Sequence, residues 1–261
     1  MFDYHMHSAV SEDGRSTGAE MAAKAAQMGL KEICFTDHID DIPDPNKADW
    51  TFETSDYNAA YDHLAFDDLK IKKGIEFGLL PDNRDRLPRE LQRRPFDFVI
   101  GSIHFAQNVD VYDAVFWDGR TVAETEATFL KETLECVRIH DDFDVLGHLT
   151  VLGKVRYTPH NRPMAYFDHA DIVDEIFRVL IQKGKGLEVN TSGLTRCGAF
   201  LPTADYLHRF KELGGEIVTV GSDAHSYHRV GHGCADACTM VNHIFGHVCT
   251  FSDRKPEFHK L

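Results

Sequence analysis

Met1-Phe2-Asp3-Tyr4-His5-Met6-His7-Ser8 opens the chain with a short apolar and aromatic run that ends in two histidines one residue apart. Side chains on an extended strand repeat every second residue, so His5 and His7 share one face and can grip one metal ion or flank a pair. Alone, a His-x-His is a weak sign of metal, and an isolated histidine is more often a packed structural one. The same device recurs along the chain, and that recurrence decides the fold. Seven short segments, residues 2–5, 32–35, 70–75, 96–100, 143–146, 186–189 and 216–220, read as strands. Several are rich in Val, Ile and Phe and bounded by glycine, as buried parallel strands are.

Helical stretches separate most of them. Thr17 and Glu20 stand at capping-box spacing before an Ala-rich amphipathic run to Met28, and Gly29 stops it. Further helices are expected over 56–66, 84–93, 122–140, 167–183, 203–213 and 235–246, with Gly184 and Gly214-Gly215 closing two of them. Strand and helix alternating with short breaks predict βα units on a parallel sheet, either barrel or doubly wound. There is no internal repeat, low-complexity segment or clear linker, so residues 1–261 read as a single domain. Two long connections, 39–53 and 105–120, carry aromatics and acids, and loops of that length in a compact α/β chain are usually functional. The tail, 251–261, is too short and polar to interpret.

The strand exits carry the chemistry. They deliver His5 and His7 with Asp13 close behind, then Thr36-Asp37-His38, Gly74-Ile75-Glu76, Gly101-Ser102-Ile103-His104, Gly147-His148, Asn190-Thr191-Ser192 and Gly221-Ser222-Asp223-Ala224-His225. Six of the seven end in His, Asp or Glu. In a parallel barrel these exits converge on one rim, which is where catalysis sits. Coincidence at one topological position, repeated along the chain, predicts a multinuclear metal site. Imidazole and carboxylate suit Zn, Fe or Mn, and no thiolate stands at a strand exit. Nine candidate ligands, His5, His7, Asp13, His38, Glu76, His104, His148, Asp223 and His225, are too many for one tetrahedral ion and about right for three. Glu76 can bridge two ions and hold between them a water of lowered pKa. Asp37 reads either as an acceptor that fixes an imidazole tautomer or as a helix N-cap.

Composition narrows the partners. Hydrophobic residues at 43% supply a sizeable core, and a net charge of −14 argues against a nucleic-acid polymer, whose phosphates call for Lys and Arg. It leaves room for a small phosphorylated substrate, since metal ions and a few arginines dominate locally. The six cysteines form no CxxC pair, the first ten residues lack a signal-peptide pattern, and no apolar run approaches the roughly 18 residues of a membrane span. The expectation is a cytoplasmic protein with reduced thiols and no membrane contact. Cys234 and Cys238, with His232 nearby, have a spacing that can pair metal ligands on a helix, but the core-facing reading is preferred.

Taken together, His5-Met6-His7-Ser8, Asp13-Gly14, Thr36-Asp37-His38, Gly74-Ile75-Glu76, Gly101-Ser102-Ile103-His104, Gly147-His148 and Gly221-Ser222-Asp223-Ala224-His225 resemble the motif series of the PHP (polymerase and histidinol phosphatase) family. The series runs in order from residue 1 to about residue 230. The resemblance is closest to stand-alone histidinol-phosphate phosphatases, which carry Glu188-Val189-Asn190-Thr191-Ser192-Gly193-Leu194 on the sixth strand. It implies a distorted (β/α)7 TIM-like barrel with three divalent or trivalent metal ions at the C-terminal rim. By position, it implies that His5, His7, Glu76 and Asp223 hold one ion, Glu76, His104 and His148 a second, and Asp13, His38 and His225 a third. Some members carry histidine where Asp13 stands, which leaves the third ion less defined.

The implied activity is phosphomonoester hydrolysis, with L-histidinol phosphate the expected substrate and histidine biosynthesis the expected setting. Glu76 and Asp223 are the catalytic candidates at the metals, and His228 is a candidate proton donor to the leaving alkoxide. Arg156 and Arg196 are candidates for a phosphate clamp, because guanidinium offers paired donors to two oxygens, and Ser102 joins them as a substrate-binding candidate. Asp40-Asp41, Asp44, Trp50 and Trp117 are suitable company for a cationic, imidazole-bearing leaving group. A PHP phosphoesterase acting on nucleotides is the alternative, and a non-catalytic metal-binding barrel a further one that predicts lost ligands. An amidohydrolase also opens on His-x-His, but no lysine ends the fourth strand here.

Overall fold

The structure is a computed structural model and describes residues 1–155 and 162–261. In chain order the strands are β1 (Phe2–Asp3), β2 (Glu32–Ile39), β3 (Lys70–Gly78), β4 (Phe98–Ser102), the hairpin β5 (Phe105–Ala106) and β6 (Val109–Asp110), β7 (Val145–Leu146), β8 (Gly186–Asn190), β9 (Val218–Gly221), and a second hairpin of β10 (Val248–Ser252) and β11 (Lys255–His259). The α-helices are α1 (Gly18–Gln27), α2 (Thr54–Tyr61), α3 (Arg86–Arg93), α4 (Ala114–Trp117), α5 (Val122–Ile139), α6 (Ala170–Gln182), α7 (Ala204–Glu212) and α8 (Cys234–Phe245).

Seven strands make one parallel sheet in the order β1-β2-β3-β4-β7-β8-β9. All eight residues of β2 are buried, as expected of a strand covered on both faces. The first and last strands then meet. Tyr4 N–H donates to Val220 O at 2.8 Å, Asp223 N–H to His5 O at 2.7 Å, and His7 N–H to Ala224 O at 2.8 Å. These bonds curl the sheet into a nearly closed α/β barrel of seven strands, and the seam runs through two of the motif segments.

Local sequence explains the elements. Thr17 Oγ1 accepts from Glu20 N–H at 3.2 Å and Glu20 Oε2 accepts from Thr17 N–H at 2.8 Å, the reciprocal capping box that starts α1. The seven strands fall where the alternation placed them, but β2 and β3 run on to Ile39 and Gly78, so His38 and Glu76 stand on strands and not in loops. The helix expected over 167–183 begins later, at Ala170, because Tyr166–Asp168 forms a 3-10 turn. The long connection 105–120 is organised by β5, β6 and α4.

The uninterpreted tail is the antiparallel hairpin β10–β11. It sits at the N-terminal end of the barrel, where Phe251 N–H donates to Tyr4 Oη at 3.1 Å and Arg254 reaches Asp144 at 2.5 and 2.9 Å. Cys234 and Cys238 are buried on α8 and all six thiols are free. Among the described residues no helix is long and apolar enough to cross a membrane.

Candidate metal centre

The seven strands converge their C-terminal ends on Glu76, whose carboxylate is buried at the end of β3. Its Oε2 lies 3.1 Å from His5 Nε2, 3.4 Å from His7 Nε2 and 3.3 Å from His38 Nδ1. Its Oε1 lies 2.8 Å from His148 Nε2 and 3.2 Å from His104 Nε2. One carboxylate thus offers an oxygen to each of two imidazole groups. Asp223 Oδ1 stands 3.7 Å from His5 Nε2 and 3.5 Å from His7 Nε2. Asp13 Oδ2 stands 2.8 Å from His225 Nε2 and 3.8 Å from His38 Nε2. All nine expected ligand residues come together.

Their donor atoms form overlapping groups able to hold ions: His5, His7 and Glu76; Glu76, His104 and His148; His7, Asp13, His38 and His225; and His38, Asp40 and His104. Within each group the donor atoms lie within 4.8 Å of one another. The chemistry of the set fits hard-to-borderline cations. Asp13 Oδ1 and Asp40 Oδ2 are buried oxygens with no hydrogen-bond donor, and buried acceptors left so are rare without an ion to satisfy them. The rings also stack, His7 on His38 at 4.2 Å and on His225 at 4.4 Å between centroids.

Electrostatics follow from that crowding. Burial alone raises carboxyl pKa values, yet the imidazoles of His5, His104 and His38 hold Glu76 well below the usual carboxylate range. Asp223 is likewise held well down against its burial, by Lys154 and His5. Burial opposes charge on His5 and His104, but Glu188 and Glu76 raise the first, and Asp40 and Glu76 the second, well above the ordinary imidazole value. His7 goes the other way, to about 3, through burial and the neighbouring His38 and His225.

A ring of supports fixes these side chains. His5 Nδ1–H donates to Glu188 Oε1 at 2.6 Å, and Glu188 Oε2 accepts the His148 backbone N–H at 2.8 Å. Room for Glu188 comes from Gly221, where a Cβ would lie 2.7 Å from Glu188 Oε1 and 2.2 Å from His5 Cβ, and room for Ser102 comes from Gly147, where a Cβ would lie 2.3 Å from Ser102 Oγ. Asp40 Oδ1 takes the Nδ1–H of His104 at 2.6 Å, and Asp40 Oδ2 lies 3.0 Å from His38 Nδ1. Holding Nδ1–H on His5 and His104 in this way presents their Nε2 lone pairs to the centre. Asp37 is neither N-cap nor direct imidazole acceptor. It stands inside β2 and accepts from Ser8 N–H at 2.9 Å, Ser11 Oγ–H at 3.1 Å and the Tyr61 hydroxyl, and only Ser11 goes on to meet His7 Nδ1, at 3.4 Å.

A cleft of about 800 Å³ opens over the cluster. Its β1, β7, β8 and β9 side carries Arg15, Lys154, Arg196 and Arg229, and its β2 and β4 side carries Trp50, Phe105, Asp110 and Tyr112. Lys47 also lines the second side, with its ammonium 4.0 Å from Asp44. Arg196 therefore reaches the cleft, whereas Arg156 lies outside the described residues. His228 does not reach it: the ring is exposed and packs at a tilt against Tyr227, 3.8 Å between centroids, and of the 3-10 turn Tyr227–Arg229 it is Arg229 that lines the cleft. Ser102 is fully buried and donates to Glu76 Oε1 at 2.6 Å, so it orients that carboxylate and is out of reach of substrate.

The expected acidic partners also change. Asp40 is buried among the imidazoles, Asp41 is taken up by Arg86 and Asn83, and Trp117 donates its indole N–H to Val111 O at 3.0 Å. Trp50 does line the cleft, 5.3 Å from the His38 ring. The sequence reading missed Glu188, Asp40 as a support, Asp110 and Lys154. Glu188 had a legible signal, two residues before Asn190 and hence on the same strand face, whereas Asp40 bears that relation to His38 only once β2 is known to reach Ile39. Lys154 lies in a 3-10 turn beyond β7 and Asp110 in a two-residue hairpin strand, and neither is long enough to carry a periodic signal. Lys154 Nζ binds Asp223 Oδ2 and Ser192 Oγ, each at 2.7 Å. Burial works against its charge, but Asp223 outweighs burial and raises the ammonium pKa.

Comparison with known proteins agrees with this geometry. The PHP domain family matches residues 3–192. The chain is 31% identical to the histidinol-phosphatase of Lactococcus lactis, with 99% of this chain and 97% of that protein covered. It is 28% identical to a probable histidinol-phosphatase of Clostridium acetobutylicum, with 92% of each covered. Among solved structures, the histidinol phosphate phosphatase from Lactococcus lactis complexed with zinc, L-histidinol and phosphate superposes with a TM-score of 0.85 at 28% identity, covering 98% of both chains.

Proposed function

The chain belongs to the PHP domain family, and from that footing we propose that it is a metal-dependent phosphomonoesterase that hydrolyses L-histidinol phosphate to L-histidinol and phosphate. The observation that carries the substrate is the charge partition of the cleft. Phosphate belongs on the side of Arg196, Arg229 and Arg15, where guanidinium groups match its oxygens. The ammonium and imidazole of the leaving group belong on the side of Asp110, Trp50 and Tyr112. Of the five carboxylates that line the cleft among the described residues, Asp13, Asp40, Glu76 and Asp223 sit in the ligand cluster, and Asp110 alone is left for a cation.

We assign three ions to the cluster, held by His5, His7, Glu76 and Asp223, by Glu76, His104 and His148, and by Asp13, His38 and His225. Such ions supply a bound water of lowered pKa and neutralise charge on the phosphoryl oxygens. The protein's own part is to hold that geometry. Glu76 spans two groups, Glu188 and Asp40 lock imidazole tautomers, and Arg196 with Arg229 orients the ester for in-line attack. The relatives' likeness over nearly the whole chain and the bound zinc, L-histidinol and phosphate of the Lactococcus protein support the same reading. The free, largely buried thiols suit a cytoplasmic setting.

The test is phosphate release from L-histidinol phosphate beside a panel of nucleotides and sugar phosphates, with metal analysis on the same sample. A kcat/KM for L-histidinol phosphate well above every other ester is the expected result. A preference for a nucleotide would replace the substrate and leave the family.

A further inference from the structure

We propose that Lys154 is a positioning residue that occupies Asp223 Oδ2, so that only Oδ1 is left to face the Nε2 atoms of His5 and His7. This rests on reading Asp223 as a metal ligand. The backbone at Asp223 is already pinned. It holds φ at 55°, a left-handed conformation that Asp tolerates and most residues avoid. Its N–H is bound to His5 O at 2.7 Å. Rotation of the carboxylate is the freedom that remains.

Two neighbours meet Oδ2, Lys154 Nζ at 2.7 Å and Ser192 Oγ at 3.2 Å. Ser192 has one hydroxyl proton, and Asn190 Oδ1 at 2.6 Å is the nearer acceptor. The proton that satisfies Oδ2 therefore comes from Lys154. Without it, Oδ2 is a buried anionic oxygen with no donor, which costs more than an ordinary lost hydrogen bond. The carboxylate then turns to offer both oxygens to the cation, or neither in a fixed place.

The same ammonium polarises a longer chain. Lys154 donates to Ser192 Oγ at 2.7 Å, Ser192 donates to Asn190 Oδ1, and Asn190 Nδ2 donates to Glu188 Oε2 at 3.3 Å. Glu188 Oε1 accepts from His5 Nδ1 at 2.6 Å. Each donor and acceptor in this sequence has the direction the next one needs. The arrangement fixes the Asn190 amide and presents the His5 Nε2 lone pair to the cluster. With Asp223, Ser192 and the Tyr112 hydroxyl as its hydrogen-bond partners and its side chain 12% exposed, Lys154 is committed inward and is a poor phosphate ligand.

The experiment compares the wild-type protein with Lys154→Met, Ser192→Ala and Asp223→Asn, each checked for native near-UV dichroism. Zinc stoichiometry, the rate of zinc release to a chromogenic chelator, kcat and KM are read for each. Lys154→Met should release one class of zinc about 10- to 100-fold faster, as expected when a group that orients a ligand is removed. Its kcat should fall with KM nearly unchanged, and Ser192→Ala should show a smaller shift in the same direction, a readout that survives if Lys154→Met does not fold. Zinc release unchanged in Lys154→Met, or in Ser192→Ala alone, with a raised KM, makes the lysine a substrate contact and overturns the proposal. If Asp223→Asn also keeps its zinc unchanged, the reading of Asp223 as a ligand falls with it. Loss of zinc in Asp223→Asn alone sinks only the role of Lys154.

Discussion

His5 Nε2 and His7 Nε2 lie 3.0 Å apart in a fully buried setting. Both rings give their Nδ1 side to an acceptor, Glu188 Oε1 for His5 and Ser11 Oγ for His7. The two Nε2 lone pairs then face each other, an arrangement that a shared cation relieves. In metal-free protein His5 takes up a proton instead, because its pKa is raised well above the ordinary value.

Metal loading at pH 7 should therefore expel protons. Zinc titration of the metal-free protein, run by calorimetry in two buffers of different ionisation enthalpy, should show net proton release. Chelation should abolish phosphatase activity and lower Tm, with recovery on added zinc. Each site filled at 100 times its Kd adds about 2.7 kcal/mol of stability. Equal heats in the two buffers would remove the protonated His5 from the account.

Glu76→Gln should weaken two ion sites together. The amide is neutral, so both imidazole groups lose their anion, and its NH2 faces one of them, either His148 and His104 or His5 and His7, which also loses its acceptor oxygen. The expected loss in kcat is at least about 10²-fold, more than removing a group that merely orients a ligand. Metal analysis of the purified variant should find fewer than the wild-type number of ions, and a full complement with full activity contradicts the bridging role.

Glu188→Gln separates orientation from ligation. If the amide oxygen keeps the His5 contact, the NH2 meets the His148 backbone N–H at 2.8 Å, donor against donor. The expected cost is about 10- to 100-fold in kcat or zinc affinity. Comparing zinc release with kcat decides which of the two carries it, and wild-type values for both would show that Glu188 only fills space.

Legibility in the sequence followed period and position. Strand alternation with His, Asp or Glu at six of the seven exits was enough to bring the nine cluster residues to one rim, while the choice of barrel over doubly wound sheet came from the family resemblance. His228 failed because a spacing of three residues past His225 says nothing about where a 3-10 turn aims its side chains. Asp40 was read as a loop acid because β2 runs further than its apolar segment, and the same-face relation of His38 and Asp40 shows only once the strand is known to reach Ile39. Lys154 sits in a 3-10 turn with no periodic signal, and the C-terminal hairpin is set by tertiary contacts to Tyr4 and Asp144 that no local pattern encodes.

Asp37, one residue before His38 on β2, gives a pH prediction of its own. Burial raises its pKa from 3.8 to about 6 despite its three hydrogen-bond donors. A carboxyl whose folded pKa exceeds its unfolded value supports the fold fully below the unfolded value, and that support is lost as pH rises through about 6. Asp37→Asn stays neutral throughout. In metal-free protein, the stability of Asp37→Asn relative to wild type should therefore improve by roughly 3 kcal/mol between pH 4 and pH 7, about two pKa units at 1.36 kcal/mol each. Urea titrations at the two pH values measure it, and a pH-independent difference would place the proton elsewhere.

Asp110→Asn tests how the cleft reads its substrate. Asp110 lines the same cleft as Arg196 and Arg229, its Oδ1 accepts the Tyr112 N–H at 2.8 Å, and no cation pairs with it among the described residues. A charge-assisted hydrogen bond to an ammonium or imidazolium is worth about 1.5–3 kcal/mol. Losing it should raise KM for L-histidinol phosphate by on the order of 10- to 100-fold. A phosphate ester without a cationic group, such as p-nitrophenyl phosphate, makes no such bond and should keep its KM. The ratio of the two KM values is the measurement, because it cancels any general disturbance of the cluster. Equal changes for both esters would mean that Asp110 supports the β5–β6 hairpin and does not select the leaving group.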